Sequence, residues 1–222
     1  REQANKISEG KWIPLLSLLK YFKVNNKDSI CFEPYLKINN KYFQKWKTIF
    51  SKEKKTVIGI NWQGNPLAEK SSLKGRSIPL EMFSKIIHNN ENIKLLSLQK
   101  GYGSEQLGKC TFREKFVNFQ DEVSKIWDFE ETIAIIDNCD LIITTDTLLA
   151  HLVGALGKET WLLLKFIPSW RWGLNGVKTF WYPSFKLFRQ NEKKSWKEVI
   201  ERLSLEVNKK FPEDYHSLVF LI

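Results

Sequence analysis

The sequence predicts an α/β class: a Rossmann-like parallel sheet with helices on both faces. Short apolar runs recur at residues 56–62 (TVIGINW), 93–98, 140–144 (DLIIT), 159–165 (ETWLLLK) and 185–189. They are apolar throughout rather than alternating, as strands covered on both sides are. Segments with helical spacing lie between them, and strands alternating with helices imply a parallel sheet with crossover connections.

The elements follow in order. Lys41 to Phe50 is a short helix with Tyr42, Phe43, Trp46, Ile49 and Phe50 apolar, and Ser51-Lys-Glu-Lys-Lys is a charged connector. After the first strand, Gln63-Gly-Asn-Pro66 breaks the run. A polar loop follows with Lys70, Lys74, Gly75 and Arg76. Ser77 and Pro79 open a helix whose apolar face is Met82, Phe83, Ile86 and Ile87. The second strand ends in the turn Gln99-Lys-Gly-Tyr-Gly103. Residues 116–119 (FVNF) read as a third strand, and 127–138 as the helix leading into the fourth. Residues 166–183 form a long aromatic loop. Trp196, Val199, Ile200, Leu203 and Val207 mark a terminal amphipathic helix. The expected domain organisation is a remnant of a preceding unit at 1–24, a linker with a short helix at 25–55, the Rossmann-like domain at 56–190, and a C-terminal helix and tail at 191–222.

The chain is organised around residues 131–157, ETIAIIDNCDLIITTDTLLAHLVGALG, a helix, a buried strand, a tight turn and a second helix. Thr145-Asp-Thr147 supplies residue types that cap free N–H groups. On a helical projection Leu148, Leu149, Leu152, Val153 and Leu156 share one arc, the expected core side. Thr147 and His151 stack on the opposite arc, flanked by Ala150, Gly154 and Ala155. Ligands of open α/β sheets bind at the carboxyl ends of strands, and helix N-termini favour phosphate. Asp146 and Thr147 as simple caps, with His151 a satisfied histidine near the core, is the competing account.

The 222 residues are 42% hydrophobic, enough for one good core. Cys31, Cys110 and Cys139 are dispersed without metal-ligand spacing. With the charged composition they fit a soluble protein of a reducing, cytoplasmic compartment. No apolar run reaches the length of a transmembrane helix. The chain opens on Arg1 rather than Met, and a fragment or processed product is expected. The net charge of +10 suits phosphorylated ligands, nucleic acid or anionic lipid. Its lysines are scattered and no RNP or zinc-finger signature occurs, so no specific nucleic acid is expected.

Three loops fall at one sheet edge: residues 64–76, 99–103 and 145–151. They gather backbone N–H groups with Lys74, Arg76, Lys100, Thr147 and His151, a set that suits a diphosphate. Trp170, Arg171 and Trp172 of the aromatic loop offer a wall for a base or sugar ring, or pack the loop itself. No GxGxxG follows the first strand and no Walker lysine motif occurs, which counts against NAD enzymes and P-loop NTPases.

The segments IGINWQGNP, KGRSIPLEMF, LLSLQKG, DLIITTDTLLAHLVGALGKETWLLL, WRWG, WYPS and LFRQ, in that order, resemble the carboxyl half of glycosyltransferase family 9. Within it they are most similar to the heptosyltransferase-like branch found downstream of tetratricopeptide repeats. The resemblance implies the C-terminal domain of a GT-B fold, with the nucleotide-sugar donor bound mainly by this half. It implies that Asp146, Thr147 and His151 lie against the donor diphosphate. Gly64, Asn65, Lys74 and Arg76 approach phosphate, and Gln99 and Lys100 lie near the ribose or base. It implies metal-independent transfer without a cofactor to an unknown acceptor (glycan, lipid or protein). The acceptor domain and its carboxylate base would lie outside this chain. The heptosyltransferases usually carry glycine after the Asp-Thr pair, where this chain has Leu148. A non-catalytic nucleotide-sugar-binding module and a basic nucleic-acid-binding domain are the alternatives.

Overall fold

The computed structural model describes residues 11, 13–14, 17–24, 33–70, 73–88, 90–192 and 195–213. The expected turn at Asn25-Asn26, the Ile30-Cys-Phe run and the apolar tail from Leu218 lie outside them. The chain divides into two compact units, residues 1–32 and 33–222. In the first, the described residues contain one helical turn, Leu18–Tyr21.

The second unit holds a five-stranded, wholly parallel sheet. Its strands are β1 (Thr56–Asn61), β2 (Ile93–Ser97), β3 (Leu141–Thr145), β4 (Thr160–Leu164) and β5 (Phe185–Arg189), in the spatial order β2-β1-β3-β4-β5. Ile58 pairs with both Leu95 and Leu141, so β1 lies between its neighbours at one level. The order in which strands are added to the sheet reverses between β1 and β3, the switch point at which such sheets open a crevice. The helices are α1 (Asn40–Phe50), α2 (Ser84–Ile87), α3 (Gln120–Lys125), α4 (Phe129–Asn138), α5 (Leu148–Ala155) and α6 (Lys197–Lys210).

Two apolar layers cover the sheet. Ile58, Ile60, Leu141 and Ile143 meet α2 and α6 on one side. Val57, Leu96, Ile142 and Leu162 meet α1, α4 and α5 on the other. Alternate residues of one strand thus serve opposite layers, which explains why the strands read as continuous apolar runs. The unit begins at Glu33, ahead of the sheet, and includes α6 as well as α1. The charged run at 51–55 is the turn between α1 and β1.

Residues 116–119 are not a strand. Phe116 makes a single bridge to Leu95, and Val117 N donates to the Leu95 carbonyl at 2.9 Å. Phe116 belongs to one apolar layer and Val117 to the other, so the pair closes the outer edge of β2 and the chain turns into α3. The helix expected over 127–138 begins at Phe129, because Asp128 is its cap. The Asp128 carboxylate accepts from Glu131 N at 2.7 Å.

Glu131 ties α4 to α1. Its Oε1 accepts from Trp46 Nε1 at 2.9 Å and from Lys45 Nζ at 2.5 Å. Trp46 is fully buried, so removing the acceptor strands its N–H. Glu131→Ala is expected to cost about 2 kcal/mol in urea unfolding. Lys45→Ala, whose side chain is half exposed, should cost well under half of that.

Candidate functional site

A cleft of about 460 Å³ opens at the carboxyl edge of the sheet, between the segments that follow β1, β2 and β3. Its polar lining includes Asn61, Gly64, Arg76, Lys100 and Thr147, and its apolar lining Leu98, Tyr102, Trp127, Phe129, Leu149 and Leu152.

Arg76 fastens the loop after β1 to the loop after β3. Its Nη1 donates to the Asp146 carbonyl at 2.7 Å, and its Nε stands 3.5 Å from Glu69 Oε1. The guanidinium lies so close over Gly64 that a Cβ there would meet it at 2.3 Å. Any side chain at 64 would therefore have to displace the guanidinium from its place beside Asp146. Gly64 N donates to Ser77 Oγ at 3.1 Å, and Asn65 Oδ1 accepts from Leu67 N at 2.9 Å, so both ends of this loop are held.

Thr147 stands at the N-cap of α5, but its hydroxyl makes no cap bond to the helix. It donates to Asn61 Oδ1 at 3.0 Å, an oxygen that also accepts from Thr144 Oγ1 at 3.2 Å. The threonine side chain thus leaves the first N–H groups of α5 uncapped, at the end of the helix where partial positive charge gathers.

Lys100 Nζ reaches the Val123 carbonyl at 2.6 Å, and burial holds its pKa down to about 8. Gln99 is committed inside the protein. Its Oε1 accepts from Asn61 Nδ2 (2.8 Å), Trp62 N (3.1 Å) and Gln63 N (3.0 Å). Its Nε2 donates to the carbonyls of Gln63 (3.0 Å) and Tyr102 (2.7 Å).

The faces of α5 follow the expected ones only in part. Val153 is buried as expected, and Leu149, Leu152 and Leu156 pack half-buried against the core. However, Leu148 is 65% exposed, Leu149 and Leu152 also line the cleft, and Ala150, Gly154 and Ala155 are buried too. The small residues let the helix sit close to its neighbours, and the leucines are left to form the apolar wall.

The structure brings together Gly64, Asn65, Arg76, Gln99, Lys100 and Thr147 around the cleft. Asp146 contributes its carbonyl to Arg76 beside it. Lys74 does not join them: it lies with Lys70 at a separate depression beyond Glu69, and its carbonyl accepts from Lys165. Nor does His151. It stacks on Trp172 with centroids 5.4 Å apart, and its Nδ1 lies 3.1 Å from the Tyr182 hydroxyl. Burial lowers its pKa against the opposing charge of Asp146. Trp172 is buried, Trp170 packs edge-on against Trp181, and Arg171 lies over Trp170; none of the three lines the cleft. The aromatic wall is instead Tyr102, Trp127 and Phe129. The signal for it was the pair of large apolar residues either side of Asp128, which a helix cap on the surface does not require. Among the described residues no group of three His, Cys, Asp or Glu is placed to hold a metal ion, and no helix is long and apolar enough to cross a membrane.

Fold and cleft together define an α/β Rossmann-like protein with a crevice of mixed but mainly apolar lining at its switch point. Among solved structures the chain is similar to the glycosyl transferase family 9 protein of Veillonella parvula, with a TM-score of 0.52, 14% identity, and coverage of 78% of this chain and 54% of that one. It is also similar to the ADP-heptose LPS heptosyltransferase II of E. coli, with a TM-score of 0.50, 13% identity and coverage of 78% and 54%. At such identities the likeness is one of fold, and the chain spans about half the length of each of those proteins. No protein-family model and no curated protein matches it.

Proposed function

We propose that this chain is the donor-binding half of a GT-B glycosyltransferase that takes a nucleotide diphosphate-sugar. The observation that carries the reading is the mixed lining of the cleft. Arg76, Lys100, Thr147 and the N-terminus of α5 border the same cavity as Tyr102, Trp127, Phe129 and the leucines. A nucleotide diphosphate needs both kinds of group, cations and N–H donors for its diphosphate and ring faces for its flat base.

In the proposed reaction a carboxylate outside this chain takes the proton of an acceptor hydroxyl. The acceptor oxygen bonds to the anomeric carbon as the bond from that carbon to the diphosphate oxygen breaks. The diphosphate leaves with the electron pair. Lys100, Arg76 and the N–H groups of α5 meet the charge that develops on it.

Calorimetry of the chain with ADP, GDP, UDP, CDP and dTDP tests it. One diphosphate is expected to bind selectively, and Lys100→Met to weaken it about tenfold or more. Affinity should fall between pH 7 and pH 9 as Lys100 loses its proton, and this slope should vanish in Lys100→Met. Without ligand the sign is opposite. The folded chain releases that proton at about 8 and the unfolded chain near the ordinary value of 10.5, so stability rises with pH across that window. Absence of binding to all five would remove the reading for the isolated chain.

A further inference from the structure

The loop between β4 and β5 carries a surface that the nucleotide cleft does not use. Phe166, Ile167, Trp170, Leu174, Val177 and Phe180 are all exposed within fifteen residues. Apolar exposure on that scale marks an interaction site rather than an ordinary surface. The loop is not slack. Arg189 latches it from β5, donating Nε to the Gly176 carbonyl (2.7 Å), Nη1 to Gly173 (2.9 Å) and Nη2 to Asn175 (3.3 Å). Leu187 N donates to the Val177 carbonyl at 2.8 Å, and Trp181 Nε1 to that of Arg171 at 2.9 Å. Gly173 and Gly176 take the positive φ angles that let the chain double back. The apolar side chains are therefore held outward by a fixed backbone.

The charge pattern says what they face. From Thr160 to Asn191 there is no Asp or Glu, and the loop's own charges are Lys165, Arg171 and Lys178. A second copy of the chain would set these cations against their equivalents across an isologous contact, on a protein already at +10. A nucleic-acid platform needs ring faces for stacking, and Ile167, Leu174 and Val177 have none. An anionic lipid surface meets both properties: phosphate headgroups for the cations, and an interfacial zone for tryptophan and aliphatic tips. We propose that the 166–180 loop docks this chain on an anionic membrane surface. The proposal does not depend on the nucleotide reading.

The test is co-sedimentation of the chain with phosphatidylcholine vesicles and with vesicles of phosphatidylcholine and phosphatidylglycerol. Binding is expected only to the anionic vesicles and should weaken with added salt. The Ile167→Ser/Leu174→Ser variant should bind about tenfold more weakly. Both positions are exposed, so its thermal midpoint should match that of the parent chain. Equal partition to both vesicle types, no partition to either, or binding that survives the double substitution overturns the proposal. So does a reversible dimer in sedimentation equilibrium that the substitution abolishes, which would assign the patch to a second copy.

Discussion

Gln99→Leu is expected to lose about 4 kcal/mol of unfolding free energy, and nucleotide binding with it. The leucine fills a similar volume but supplies no polar atom. Three donors (Asn61 Nδ2, Trp62 N and Gln63 N) lose one shared acceptor, and the carbonyls of Gln63 and Tyr102 lose a donor. Gln99 is almost fully buried, so water does not replace these partners freely. A buried amide left unpaired costs about 1–3 kcal/mol, and several are left here. The backbone at Trp62 and Gln63 is the chain leaving β1. Its release moves Gly64 and Arg76, and with them the polar lining of the cleft. Urea unfolding and calorimetry on the same variant check both effects. If stability is retained while binding is lost, Gln99 serves a ligand directly and the internal bonds are secondary.

That residue also illustrates what the sequence disclosed. The sequence singles out Gln99 because it follows a strand at the edge where ligands bind and because the resemblance implies a place near the ribose or base. Nothing in its neighbours revealed that its amide is taken up by the backbone leaving β1, thirty-six positions upstream. The five strands were readable because burial on both faces leaves runs such as TVIGI and TWLLL without polar interruption. Residues 116–119 gave the same local pattern for another reason: two adjacent side chains cap opposite layers at the sheet edge. Periodicity cannot separate that arrangement from a strand.

The faces of α5 depart in part from the expected ones for a related reason, although Val153 is buried as the projection requires. A projection assigns large apolar residues to the core and small ones to the surface. This helix packs too closely for leucine, so Ala150 and Gly154 go inward. Leu149 and Leu152 then become walls of a cleft, a third environment that hydropathy does not distinguish. His151 shares the helical stripe of Thr147, as the spacing requires. One turn of helix carries it past the cleft to the aromatic loop, where Trp172 and Tyr182 receive it.

Gly154→Ala tests that close packing, and it should act against the usual trend. Replacing glycine by alanine inside a helix normally gains about 1 kcal/mol. At 154 the new methyl would stand 2.5 Å from Cγ and Cδ1 of Tyr182, at the base of the ring rather than its tip. The ring has little room to withdraw. Phe185 packs behind it at 5.0 Å between centroids, Trp172 at 6.2 Å, and His151 Nδ1 meets its hydroxyl. Overpacking of this kind costs about 1–3 kcal/mol and outweighs the propensity gain. Gly154→Ala is therefore expected to lose about 1 kcal/mol net, with a change in the fluorescence of the buried Trp172 as the stack shifts. The effect should reverse in a Tyr182→Ala background, where the methyl meets open space and the helix term acts alone. A double-mutant cycle measures that difference directly. Additivity of the two substitutions would mean that α5 and the aromatic loop are not in contact as described.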